Sequence, residues 1–422
     1  MAARSISVFK TLKPAPADPI LSLTTSFLND PAPHSHKINL GVGAYRTDAG
    51  KPWVLPSVQE AERRIIEDSS LNHEYIPILG TPKFVQLVQG FLFDNSAHGN
   101  TSKLLSQGRI VTGQGISGTG SLRVLGEFVL NGTSTKKISI PNPSWANHEA
   151  IFHNAGLEVV KYSYYDRETQ GLHLGKLLED LRALSPGDAV LLNVCCHNPT
   201  GIDPTAEQWE QILDIVEERQ LLPLFDMAYQ GFSTGLVEDL SVLDKVSQMV
   251  DNGKIGNMLL AQSFAKNMGL YGERVGSFSV VTASDSESRT VASQLKRTVR
   301  AMYSSPPCYG SKIVEKILED DALRGQWSEE VSIMRDRLKN MRQLLYDRLV
   351  ALGCHGPGKD TTGWGHLISQ QGMFCFTGLT AEQVGRLQQA SVYMTANGRM
   401  SVAGITPANV GRLAEEIASV MV

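Results

Sequence analysis

The sequence predicts an α/β protein in which a mostly parallel sheet flanked by helices is joined to a smaller α+β unit. Three observations carry this expectation. Over residues 104–282, short apolar runs alternate with helix-period patterns, the arrangement that builds parallel strands through right-handed crossovers. One of these runs, AVLLNV at 189–194, is apolar at nearly every position, as strands buried on both faces are. In the last quarter of the chain the pattern changes to a long charged amphipathic stretch followed by short strand-like runs.

The elements follow in order. RIVTG (109–113) reads as a strand. Leu122, Leu125, Phe128 and Val129 then recur at i, i+3 and i+4 and predict a helix closed by Asn131-Gly132. KISIP (137–141) and AVLLNV are the next strands, and Trp209, Ile212, Leu213 and Val216 share one stripe of the following helix. LLPLFD (221–226), MLLAQS (258–263) and a run around GSFSVV (276–281) complete the strands of the first unit. Beyond them, Gln326–Leu352 reads as a single long helix. A glycine-rich loop, strand-like GMFCFTG and VYMTANGRMSV, and a final helix near Val410–Val420 make up the α+β part.

At 422 residues the chain exceeds one small core, and 42% hydrophobic with 19% charged residues is a globular composition. A net charge of −4 has no polyelectrolyte signature and argues against nucleic acid or an anionic membrane as the main partner. No apolar run approaches the roughly 20 residues of a membrane span. The expected partner is a small molecule or a second copy of the chain. The cysteines, Cys195, Cys196, Cys308, Cys354 and Cys375, are odd in number and lack C-x-x-C spacing. Adjacent Cys195 and Cys196 are expected on opposite faces of a strand, unable to bridge, so reduced thiols in a cytosol-like compartment are expected, and no metal site. MAARSISVFK lacks the apolar core of a secretory signal, although its two cations and two serines have a transit-peptide flavour. The terminal SVMV is not the peroxisomal tripeptide.

In an open parallel sheet, ligands bind beyond the carboxyl ends of the strands, and polar residues cluster after four apolar runs. GISGTGS (115–121) opens a helix beginning near Leu122, where small residues let backbone N–H groups crowd an anion. A tight glycine turn explains that stretch equally well, and it matches neither the P-loop nor the Rossmann fingerprint. In CHNPTGIDPT (196–205), the proline disfavours a helical Asn198 and fixes its amide at a strand end. FDMAYQG (225–231) sets Asp226 to hold a cationic ring nitrogen and Tyr229 to reach a neighbouring oxygen, with a helix N-cap as the plainer role for the aspartate. QSFAKNMGLYGERVGS (262–277) puts Lys266 just past a buried strand, where desolvation and nearby cations free its amine for attack on a carbonyl. Arg274, eight residues on, is placed to meet a phosphate. An aldehyde for the lysine, a pyridine nitrogen for the aspartate, a phenolic oxygen for Tyr229 and Asn198, and a phosphate for the SGT loop and Arg274 belong to one ligand, pyridoxal 5'-phosphate.

The motifs YIPILG, HNPTGIDPT, FDMAYQGF and SFAKNMGLYGERVGS, with NLGVGAYRTDAGKPWVLPSV near residue 39 and GRMSVAGI near 398, make the chain resemble the aspartate aminotransferases of the fold-type I, class I pyridoxal-phosphate family over nearly its whole length. The resemblance implies a large cofactor-binding domain, residues 53–329, with a mostly parallel seven-stranded sheet. Residues 1–52 would form an N-terminal arm and the first part of a small domain that 330–422 completes. It also implies that Lys266 forms the Schiff base and shuttles the proton, and that Asp226 pairs with the ring nitrogen, with His148 behind it. Tyr229 and Asn198 would bind the ring oxygen, and Trp145 would stack on the ring. Ser117, Gly118, Thr119, Ser263 and Arg274 would hold the phosphate, joined by Tyr75 from a partner subunit. Arg399 would grip the substrate α-carboxylate beside Gly43, and Arg300 of the other subunit would take the distal carboxylate; both would be bland turn or surface arginines without the family. The implied activity is ping-pong amino transfer between aspartate and 2-oxoglutarate in a homodimer. A broad aromatic or kynurenine-type aminotransferase is the first alternative and a catalytically silent binding paralogue the second. Residues 353–370 look a few residues longer than the family's usual loop. About six residues precede the segment matching the start of the mature family fold, too few for a mitochondrial presequence, so a cytoplasmic location is expected.

Overall fold

The structure is a computed structural model that describes residues 7–15, 18–95, 100, 101 and 103–421. The first six residues, on which the targeting argument bears, lie outside the described residues.

Apart from β1 (Ile38–Asn39), the strands before residue 300 that matter for the site lie in one seven-stranded sheet: β2 (Ile110–Ile116), β3 (Lys137–Asn142), β4 (Glu158–Ser163), β5 (Ala189–Asn193), β6 (Leu222–Met227), β7 (Met258–Ser263) and β8 (Val275–Val281). Their order across the sheet is β2-β8-β7-β6-β5-β3-β4. Five neighbours from β7 to β4 run parallel, whereas β8 is antiparallel to both β7 and β2. Every residue of β7 and β8 is buried, as is all of β6 except Leu222 at its start, which matches their near-continuous apolar sequence. Two apolar clusters sit on the sheet's faces, one around Leu122, Phe128 and Phe278, the other around Ile212, Phe225 and Phe264.

Several elements differ from the sequence expectation. Strand β4 was not anticipated, because EVVKYS carries Glu158 and Lys161 and borders the sheet on one side only. Strand β2 runs three residues past RIVTG, and the helix after it, α1 (Ser117–Gly132), begins at Ser117 instead of near Leu122. The glycine-rich stretch is therefore a strand end fused to the first helical turn. The long helix, α2 (Asp321–Ala351), starts five residues earlier than the amphipathic pattern indicated, because the Asp320 carboxylate caps the amides of Ala322 and Leu323 at 2.9 and 3.0 Å. Cys195 and Cys196 lie beyond the end of β5 and not on opposite faces of it, and Cys196 has φ 53°. All five cysteines are free.

VYMTANGRMSV forms two strands in different sheets: β10 (Val392–Tyr393) pairs parallel with β1, and β11 (Arg399–Ser401) pairs antiparallel with β9 (Phe374–Phe376). Chain from both ends of the sequence thus packs together around α2. Residues 353–370 fold back on themselves: Gly356 N–H donates to Thr362 O at 2.9 Å, Asp360 accepts the amides of Thr362 and Gly363, each at 3.0 Å, and Trp364 is fully buried with its indole N–H on Cys354 O at 3.0 Å. No helix among the described residues is long and apolar enough to cross a membrane.

Candidate active site

The parallel strands β5, β6 and β7 end side by side, with Asn193 in register with Asp226 and Asp226 with Ala261. Antiparallel β8 begins at that same edge, so Ser263 at the end of β7 pairs with Gly276, and Gly276 with Gly115 near the end of β2. Consequently Ser117, far away in sequence, meets Ser263 and Arg274 at one rim. The eleven-residue excursion from Phe264 to Arg274 that joins β7 to β8 carries Lys266. Its flanks, Phe264, Ala265, Met268 and Leu270, are buried and hold the turn in the core, which leaves the lysine side chain to project into the cleft.

That cleft is lined by Lys266, Asp226, Tyr229, Asn198, Trp145, Ser117, Gly118, Thr119, Ser263, Arg274, Gly43 and Arg399. The structure thus brings together the site residues expected from this chain, apart from His148, which is fully buried behind Asp226. His148 Nε2 lies 3.1 Å from Asp226 Oδ2, and its Nδ1 2.8 Å from Ser144 Oγ. Asp226 belongs to β6 and caps no helix. Tyr75 and Arg300 are not brought to this cleft: the Tyr75 side chain is 86% exposed, and Arg300 lies on the solvent face of α3 (Asp285–Met302), bonded to Ser304.

Among the described residues no carboxylate forms an ion pair with the Lys266 amine. It lies 5.8 Å from the Tyr229 ring centre and 5.7 Å from that of Tyr271. Burial and the positive charge of Arg274 lower it to about 8, against a weaker opposing pull from Asp226. Burial raises the Tyr229 phenol, so it is neutral and able to donate, while the nearby Arg399 works the other way. At the anion end, Ser117 Oγ and Ser263 Oγ are 2.9 Å apart. The first turn of α1 has no side-chain cap, leaving its N–H groups for another acceptor. Arg274 donates one bond to Tyr271 O at 3.0 Å.

Arg399 donates from Nη2 to Gly41 O at 2.9 Å and sits 4.4 Å over the Phe374 ring, while its Nε is buried without a partner. The Oδ1 of Asn198 is likewise buried and unpartnered. The turn bearing Asn198 is fixed from beneath, because Asp203 accepts the amides of Cys196 and His197 at 2.8 and 3.0 Å. These features fit pyridoxal phosphate: an unpaired amine, a carboxylate held through one oxygen and an uncapped helix start beside Arg274.

Two kinds of residue went unnoticed in the sequence. Asn193 donates to Asp226 Oδ2 at 3.4 Å; its place at the end of AVLLN was a usable signal. Ile20, Leu122, Ala228 and Phe374 complete the cleft wall, and no local pattern separates them from ordinary core residues. A Cβ on Gly43 would come 2.8 Å from the Phe374 ring, which explains a glycine there.

Fold and site together define an α/β protein whose cleft brings a buried lysine amine together with a carboxylate and an uncapped helix start. The chain belongs to the aminotransferase class I and II family, whose model matches residues 35–417. It is similar to aspartate aminotransferase 1 of Medicago sativa, 48% identical over 99% of this chain and 96% of the relative. The cytoplasmic aspartate aminotransferase of Oryza sativa subsp. japonica is 46% identical over 98% of both chains. Among solved structures, the aromatic-amino-acid aminotransferase of Burkholderia pseudomallei, covalently bound to pyridoxal phosphate, superposes with a TM-score of 0.92 at 39% identity, covering 99% of this chain and 100% of that one.

Proposed function

We propose that the chain is an aspartate aminotransferase that moves an amino group between L-aspartate and 2-oxoglutarate by a ping-pong route, with pyridoxal 5'-phosphate as cofactor. The observation that carries the reading is the unpaired Lys266 amine in one cleft with Asp226 and the buried guanidinium of Arg399. When bound, the cofactor supplies an aldehyde to receive the amino group and a ring that withdraws electrons.

The chain's residues do the rest. Asp226, oriented by His148 and Asn193, presents a carboxylate to the ring nitrogen. Tyr229 and Asn198 donate to the ring oxygen, and Trp145 covers the ring face. Ser117, Gly118, Thr119, Ser263 and Arg274 hold the phosphate. Arg399 takes the substrate α-carboxylate bidentately beside Gly43, which sets the Cα–H bond towards Lys266. Lys266 Nζ, whose burial disfavours the charged form, accepts the Cα proton and carries it onward. Tyr75 and Arg300 act in the cleft of a second copy, Arg300 on the distal carboxylate; their exposure here supports that assignment. The active molecule is then a homodimer. Residues 53–329 form the cofactor domain, and residues 1–52 with 330–422 form the arm and small domain, a division supported by the pairing of β1 with β10. A cytoplasmic location is supported by the similarity to the rice cytoplasmic enzyme, and fractionation of the native cell tests it.

Lys266→Ala tests the mechanism: the variant should bind the cofactor noncovalently and lose nearly all transamination, and wild-type rates in it would sink the reading. A broad aromatic specificity is the second reading, favoured by the similarity to the Burkholderia enzyme and by the apolar wall of Ile20, Leu122 and Phe374. Comparable turnover of phenylalanine and aspartate with 2-oxoglutarate would establish it over the narrower one.

A further inference from the structure

The segment from Gly41 to Thr47 runs past the cleft without secondary structure. At one end Gly41 O accepts from Arg399, and Gly43 lines the cleft against Phe374. At the other end Thr47 is held by Lys51 and Gly50, and Arg337 of α2 reaches both Thr47 O at 3.4 Å and Asp48 at 2.8 Å. Between these ends, the amides of Val42, Gly43, Ala44 and Arg46 have no hydrogen-bond acceptor among the described residues. Tyr45 is the exception: its N–H donates to Tyr271 Oη at 2.8 Å, across 226 residues of sequence.

Tyr271 lies five residues after Lys266 in the same β7–β8 excursion. Its ring faces the lysine amine at 5.7 Å, at nearly the distance of the Tyr229 ring. Its hydroxyl meets the Gly41–Thr47 segment at the Tyr45 amide. One side chain therefore touches both the lysine turn and the segment that carries Gly43 beside Arg399. We propose that Tyr271 is a positioning residue that locks the Gly41–Thr47 segment to the lysine turn, so that Gly43 and the Gly41 carbonyl stay in place beside Arg399, where the substrate carboxylate binds. The inference rests on the aminotransferase reading above and deepens it. The ring walls the amine, and the phenolic oxygen anchors the loop; the two roles are separable by substitution.

Tyr271→Phe keeps the ring and removes the acceptor, leaving the Tyr45 amide unpaired in a buried setting, a loss of useful size for a single bond. In the holoenzyme the KM for aspartate should rise about tenfold while kcat stays within about threefold, with the bound-cofactor absorption spectrum unchanged. Hydrogen exchange in peptides spanning 41–47 should quicken in the variant, a readout independent of turnover. A Tyr271→Phe enzyme with unchanged KM and unchanged exchange overturns the proposal. So does one whose melting temperature falls while KM stays constant, since that marks a purely structural bond. If the wild-type holoenzyme itself fails to transaminate aspartate, the functional reading fails instead.

Discussion

Lys266 carries an amine whose burial works against its own charge. With a folded value near 8 and an ordinary value of 10.5, the unfolded chain binds a proton there that the folded chain releases between those two limits. Stability therefore rises with pH from about 8 to about 10.5, and the penalty for the buried ammonium is fully present below pH 8. Replacing Lys266 with methionine should stabilise the cofactor-free protein at pH 7 by roughly 2–3 kcal/mol, a gain that fades by pH 10. Urea unfolding of both forms at the two pH values checks this, and equal stabilities at pH 7 would show that the site exacts no electrostatic penalty. At this scale much was legible, since a lysine, an aspartate and an Asn-Pro turn each follow an apolar run. Tyr271 was not, because its partner is a backbone amide more than two hundred residues away.

The site depends on how elements cross as much as on the side chains. Strand β8 passes so close to the start of α1 that a Cβ on Gly276 would lie 2.4 Å from Gln262 O and 2.9 Å from the Ser117 carbonyl carbon. Gly276→Ala should therefore push the strand away from the anion cup, costing about 3 kcal/mol or more, and weaken cofactor binding. Gly118→Ala is the contrast, because its Cβ would meet only the Ser263 Cβ at an ordinary 3.5 Å; its melting temperature should stay close to wild type. If the two variants melt alike, close packing at this crossing is not what demands Gly276. Arg342 of α2 binds a different crossing. It is buried and donates to Leu367 O at 3.1 Å, Gly372 O at 3.0 Å, and the carbonyls of Gln371 and Phe374, fixing the approach to the Phe374 that faces Arg399. Arg342→Ala should cost about 3 kcal/mol, as three buried carbonyls and a half-buried one lose a donor, which thermal unfolding would measure. Buried strands such as β5 and β7 were readable because both faces are apolar. Strand β4 was not, since it carries Glu158 and Lys161 at the sheet's edge, and β10 and β11 read as one run because only tertiary pairing divides them.

In the whole molecule, the proposed function leaves the cleft one arginine of its own, Arg399, for a substrate carboxylate, whereas a dicarboxylic substrate calls for two. Arg300 lies exposed on α3, away from the cleft, so its proposed role requires a second copy. Complementation separates a shared site from a self-contained one. Lys266→Ala and Arg300→Ala homodimers should each be nearly inactive on aspartate. Co-expressed in equal amounts, they form hybrids in about half of the dimers, as two-fold assembly of equivalent chains requires. In a shared arrangement each hybrid has one cleft with both Lys266 and the partner's Arg300 intact, so activity should recover to about a quarter of the wild-type level. Were Arg300 to serve its own chain, every cleft in the hybrid would lack one group and no activity would return. The recovered fraction thus reports which chain supplies the second guanidinium, independently of how much either residue contributes to the rate.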